Sequence, residues 1–103
     1  MKQTKENTMN NFPDDFVWGV STSSYQIEGY VETDGRGKTI WDTFCENPKN
    51  IVDQSSGAVA CEHYQRYPED FRLLLELGAK DYRFSTAWSR VQPEGFGKVN
   101  QAG

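Results

Sequence analysis

Apolar residues gather in separate stretches along the chain, and each stretch has its own period. Residues 16–20 form a short run rich in aromatic and β-branched types, the composition of a buried strand. Over residues 58–77 the period lengthens. Ala60, Tyr64, Tyr67, Phe71, Leu74 and Gly78 recur at steps of three and four, which predicts one buried face of a helix. Ser56 is placed to cap its start, and Gly78 to stop it. Pro68 lies inside and has no N–H to bond back to the Tyr64 carbonyl. The pattern therefore predicts two helical segments, 58–66 and 68–77, meeting at a kink. Residues 82–88 then alternate, with Tyr82, Phe84 and Thr86 on one face and Arg83, Ser85 and Ala87 on the other. Strand, long crossover with helix, and strand make a βαβ unit, hence a parallel pair.

Between the first strand and the helix, residues 30–56 have little periodicity. Asp34, Gly35, Arg36 and Gly37 read as a turn, residues 40–44 as a helical turn, and Asn47, Pro48 and Asn50 as another turn. Loops this long usually serve a site or are disordered. Trp41 and Phe44 favour an ordered, packed loop. Gly35, Gly37, Lys38 and Thr39 superficially resemble a phosphate loop. That motif needs a glycine five positions before Gly37, and Glu32 stands there, so nucleotide binding is set aside. Residues 91–103 are rich in turn formers.

Polar content narrows the field. The chain has 103 residues, room for one small domain, and a net charge of −4, which argues against nucleic-acid or anionic-membrane partners. No apolar run is long enough to span a bilayer. Aromatics make up 14% of residues, high for so polar a chain. They serve either as core or as platforms for sugar C–H faces. Cys45, Cys61 and His63 lack the spacing of a zinc site, so no metal or other cofactor is expected. Two cysteines do not form a disulfide framework, and a reduced compartment follows. Residues 1–11 are polar with no apolar core of a signal peptide, so they read as a disordered tail and the location as cytoplasmic.

Candidate chemistry lies at the strand ends. After residues 16–20 come Ser21, Thr22, Ser23 and Ser24, then Tyr25, Gln26 and Glu28. An apolar strand, a mouth of small residues and a polar cluster describe a ligand site at the C-terminal end of a parallel strand. They equally describe a strand followed by a serine-rich turn. A Gln26 amide offers donors and an acceptor together, and so can grip two neighbouring hydroxyls. Arg83 lies in a parallel strand, where both faces are usually covered. A covered guanidinium needs a carboxylate or phosphate. It is then either one half of a structural salt bridge or part of a site.

Several stretches together resemble glycoside hydrolase family 1, the β-glucosidase family. They are residues 16–19 with 24–29, then 34–37, 40–44, 59–67, Glu69 with Asp70, Leu77 with Gly78, and 82–85 with 88–90, in the family's order and at similar spacing. The likeness runs over residues 12–103. Departures are mild: Tyr30 for a small residue, Ala58 for a common Asp and Gln65 for a common His.

The resemblance implies an α/β fold, the (β/α)8 TIM barrel, with residues 12–103 as its N-terminal portion carrying the first two strands and the crossover between them. It implies hydrolysis of terminal β-linked glucosides or related sugars with retention, on a small-molecule β-glycoside or oligosaccharide. Gln26 would bind hydroxyls of the terminal sugar. Arg83 would stand beside the catalytic nucleophile and hold it ionised. Both catalytic glutamates would lie on later strands, beyond Gly103, and Glu28 would order the loop. Tyr25 stands where phospho-glycosidases of the family often carry Asn, which leans towards an unphosphorylated substrate. The competing readings are a non-catalytic sugar- or protein-binding member of the same fold, and an unrelated small binding domain. The oligomeric state is left open.

Overall fold

A computed structural model of the chain describes residues 11–103. All of the expected disordered tail except Asn11 lies outside the described residues. Two short strands, β1 (Gly19–Ser21) and β2 (Asp81–Arg83), pair in parallel, with Gly19 opposite Asp81, Val20 opposite Tyr82 and Ser21 opposite Arg83. The parallel pair is the one the βαβ pattern predicts. Both strands are shorter than their apolar runs. Residues 16–18 stop short of the ladder, where Phe12, Phe16 and Trp18 pack their rings with centroids 4.6–4.8 Å apart. Beyond Arg83 the chain leaves the sheet, because β1 bends into a helical turn, α1 (Ser24–Ile27), and offers no further ladder. Thr22 N–H closes the pairing on the Arg83 carbonyl at 3.0 Å.

A 3-10 turn, Thr33–Gly35, follows α1, with Asp34 in the left-handed region at φ 54°. Then comes α2 (Ile40–Glu46), fixed at its start by a reciprocal cap. The Thr39 hydroxyl accepts from Asp42 N–H at 3.3 Å, and the Asp42 carboxylate accepts from Thr39 N–H at 2.7 Å. Trp41 and Phe44 lie edge to face at 5.9 Å, so this stretch is the ordered loop its aromatics suggest.

The long helix α3 is His63–Leu77, not two segments starting at residue 58. Ser56 does not cap it; its hydroxyl accepts from Ala58 N–H at 3.4 Å within a turn. Ala60 and Glu62, at φ 48° and 57°, keep the chain out of the right-handed helix until His63. Pro68 is carried without a break. Its fixed φ suits a helix, and near the N-terminus it forfeits one bond while the neighbouring ones hold the cylinder. Gly78 ends the helix as expected, left-handed at φ 81°, with its N–H on the Leu74 and Leu75 carbonyls. After β2 a last turn, α4 (Trp88–Val91), packs back towards α1.

No hydrophobic side chain is buried among the described residues. Phe71, Tyr82 and Phe84 form an apolar strip joining α3 to β2, at centroid distances of 6.1 and 5.6 Å, open to solvent on its outer side.

Candidate functional site

The C-terminal ends of β1 and β2 are laced side by side. The Tyr82 and Thr22 hydroxyls share a 2.5 Å hydrogen bond, and the Ser24 N–H donates to the Ser85 hydroxyl at 3.1 Å. The small residues after β1 thus serve first as a splice between the strand exits. Gln26 sits one step further, on α1, with its side chain exposed. It borders a cleft of about 460 Å³ walled by Tyr25, Trp41, Cys45 and Ile51. The Tyr25 and Trp41 rings lie nearly parallel at 6.4 Å. Burial raises the Tyr25 hydroxyl above its ordinary pKa, and the neighbouring Cys45 thiol adds to the shift.

Arg83 is exposed, against the expectation of a covered guanidinium. The reason is architectural: with two strands, nothing covers that face. Its Nε donates to the Ser21 hydroxyl at 3.0 Å, across the register pair. No carboxylate pairs with it among the described residues. Gln26 and Arg83 flank the same strand exits, yet Arg83 does not line the cleft beside Gln26.

The charged centre of the molecule is a residue that sequence reasoning left unassigned. Arg90, on α4, is 4% exposed and is the one charged residue buried as a whole among the described residues. Its Nε donates to Glu28 Oε1 at 3.0 Å, Nη2 to the Gly29 carbonyl at 2.9 Å, and Nη1 to the Tyr30 carbonyl at 3.4 Å. The guanidinium carbon lies 4.0 Å from the centre of the Tyr64 ring. Tyr64 N–H in turn donates to the Glu28 carbonyl at 3.1 Å, and the Tyr64 hydroxyl donates to Asp34. That last bond, with partial burial, raises the Tyr64 pKa. Glu28 therefore does order the loop. A partner 62 residues away leaves no local spacing to betray it.

A second charged pair braces the loop. Arg36 meets Asp42 at 2.9 Å, with both side chains largely covered. Burial pushes Asp42 up, but the Thr39 N–H, the Arg36 guanidinium and the Thr39 hydroxyl outweigh it and hold its pKa below the usual carboxylate value. Cys45 and Cys61 are free thiols. No group of three metal-binding side chains occurs, and no helix is long and apolar enough to cross a membrane, among the described residues.

The sequence pattern of glycosyl hydrolase family 1 matches residues 8–103. This chain belongs to that family. It is 54% identical over 92 residues to β-glucosidase A of Acetivibrio thermocellus, covering 89% of this chain and 20% of that protein. Among solved structures it superposes on β-glucosidase 2 of Trichoderma reesei in complex with Tris at a TM-score of 0.84 and 57% identity. That match covers 89% of this chain and 20% of the other. The Thermotoga maritima β-glucosidase in complex with deoxynojirimycin aligns at a TM-score of 0.82 and 52% identity, over 87% of this chain and 21% of that one. The chain thus spans about a fifth of the length of these family 1 relatives.

Proposed function

We propose that the chain is the N-terminal part of a retaining β-glucosidase built as a (β/α)8 barrel, and that it contributes Gln26 and Arg83 to the sugar pocket. The observation that carries the reading is the agreement, at more than half identity and a TM-score of 0.84, with one segment of a β-glucosidase. Retaining hydrolysis needs two carboxyl groups about 5–5.5 Å apart, an acid/base and a nucleophile. Both would come from later strands of the barrel. Gln26, exposed at the strand exit, would hold hydroxyls of the terminal sugar through its paired donor and acceptor. Arg83, with no carboxylate partner among the described residues, would find one in the nucleophile and keep it ionised. The substrate would be a small-molecule β-glucoside or related glycoside without a phosphate group.

The test is a chimaera in which residues 8–103 replace the matching segment of A. thermocellus β-glucosidase A. It should hydrolyse an aryl β-glucoside with retention at the anomeric carbon, in preference to the aryl 6-phosphoglucoside, whereas the 103-residue chain alone should not turn over either. Gln26→Ala should lower kcat/KM by on the order of 2–4 kcal/mol, the loss of one donor to the transition state. Arg83→Ala should also move the acidic limb of the pH–rate profile upward, because a carboxylate without its cation holds its proton to higher pH. A folded chimaera without hydrolysis would overturn the reading. An Arg83 variant with an unmoved limb would make that arginine purely structural.

A further inference from the structure

The turn that carries Gln26 is held at both ends by one segment, residues 81–91. At its start, β1 pairs with β2 and Ser24 is tied to Ser85. At its end, Glu28, Gly29 and Tyr30 are gripped together by the Arg90 fork. The grip falls where the backbone most needs it. Gly29 and Tyr30 are consecutive left-handed residues, at φ 63° and 50°. That conformation is unfavourable for tyrosine and persists where surrounding contacts impose it. Arg90 donates to the carbonyls of this pair and to the carboxylate that precedes it, two to four residues after Gln26. Its own place is fixed in turn by the Tyr64 ring beneath it and by Asn100, whose Nδ2 donates to the Arg90 carbonyl at 3.1 Å.

We infer that Arg90 is a positioning residue: through Glu28, Gly29 and Tyr30 it sets the direction in which α1 presents the Gln26 amide to the sugar. The inference rests on the reading of Gln26 given above. It differs from a general structural role in one measurable respect, because its effect on catalysis must pass through Gln26. Lysine at this position keeps the charge but cannot reach a carboxylate and two carbonyls in one plane.

The experiment is a double-mutant cycle in the chimaera, comparing Arg90→Lys, Gln26→Ala and the pair, with kcat/KM on an aryl β-glucoside as the readout and Tm recorded alongside. Arg90→Lys should lower kcat/KM by up to about 100-fold, the scale of a small misplacement of a reacting group. It should add little once Gln26 is alanine. Glu28→Gln, which keeps the acceptor and removes the charge, should give the same non-additivity with a smaller drop. Should Arg90→Lys fail to fold, Glu28→Gln alone decides. Losses that simply multiply with that of Gln26→Ala would overturn the inference while leaving the glucosidase reading intact. An active chimaera indifferent to Gln26→Ala would overturn the assignment of Gln26, and this inference with it.

Discussion

Around Arg90 the buried polar atoms are all partnered; around Trp18 the apolar rings are not covered. The arginine is 4% exposed, each of its three guanidinium nitrogens donates a hydrogen bond, and no buried side-chain nitrogen or oxygen among the described residues lacks a partner. Trp18 is 61% exposed and Phe84 66%. The difference follows from what each interaction needs. Hydrogen bonds are directional and saturable, so a few groups from the turn after α1, from α3 and from α4 complete the Arg90 cluster. Apolar burial needs area from every side, and a two-stranded sheet with one long helix cannot enclose its own rings. The polar cluster can therefore hold the local geometry of the strand exits, while each large ring left wet forgoes roughly 1.5–3 kcal/mol.

The largest effect that would break this contrast is in the isolated chain. Purified alone, it should bind a hydrophobic dye and lose its near-ultraviolet circular dichroism over a broad range of urea. Two unprotected strand edges and uncovered rings leave little to make the transition cooperative. A sharp transition from a monomer would mean that the apolar side is more complete than its exposure implies.

Smaller effects sharpen the polar side. Thr39→Ala in the chimaera should cost about 1 kcal/mol, the contribution of a helix cap. It would be read as a shift in the urea midpoint at constant slope. Asp42 supplies the pH dependence. Its folded pKa lies below the unfolded value near 3.8, so its contribution is complete above that value and is lost as the pH falls through the lower, folded one. Asp42→Asn should therefore flatten the acid side of the stability curve and leave the neutral side parallel to that of the unsubstituted protein. An unchanged acid slope would show that the Arg36 pair contributes nothing to stability.

Much of the scaffold is legible in the order of residues alone, for reasons that mark where legibility ends. The parallel pair and the Gly78 stop rest on recognisable patterns, and they stand; the α3 face that the same pattern marks for burial stays largely open, because two strands do not cover it. The failures come where the surroundings, not the local residues, set the outcome. Residues 84–88 alternate like a strand, but a strand needs a neighbour, and β1 has already turned away. Ser56 looks like a helix cap, yet the left-handed residues after it delay the helix to His63. The expected burial of Arg83 presumes a fully covered sheet, which two strands do not make. Arg90 falls within one of the family's stretches, yet nothing local assigns it a role, since that role depends on Glu28, Gly29 and Tyr30 arriving from far upstream.

That distance also sets an order of events. Ser21 and Arg83 are 62 residues apart, and so are Glu28 and Arg90. One loop closure therefore brings in both the strand pair and the buried ion pair, and its entropy is spent once for two sets of bonds. On the ribosome, β1 and Glu28 must wait for the later segment, roughly 3–12 s at ordinary rates of synthesis. Until then Glu28 lacks the arginine that it pairs with, and β1 has no strand to pair with. The helix α3, made of local contacts, can form while the chain waits. The strand exits and the Gln26 turn would then snap into place together, as a late step, when Arg90 emerges.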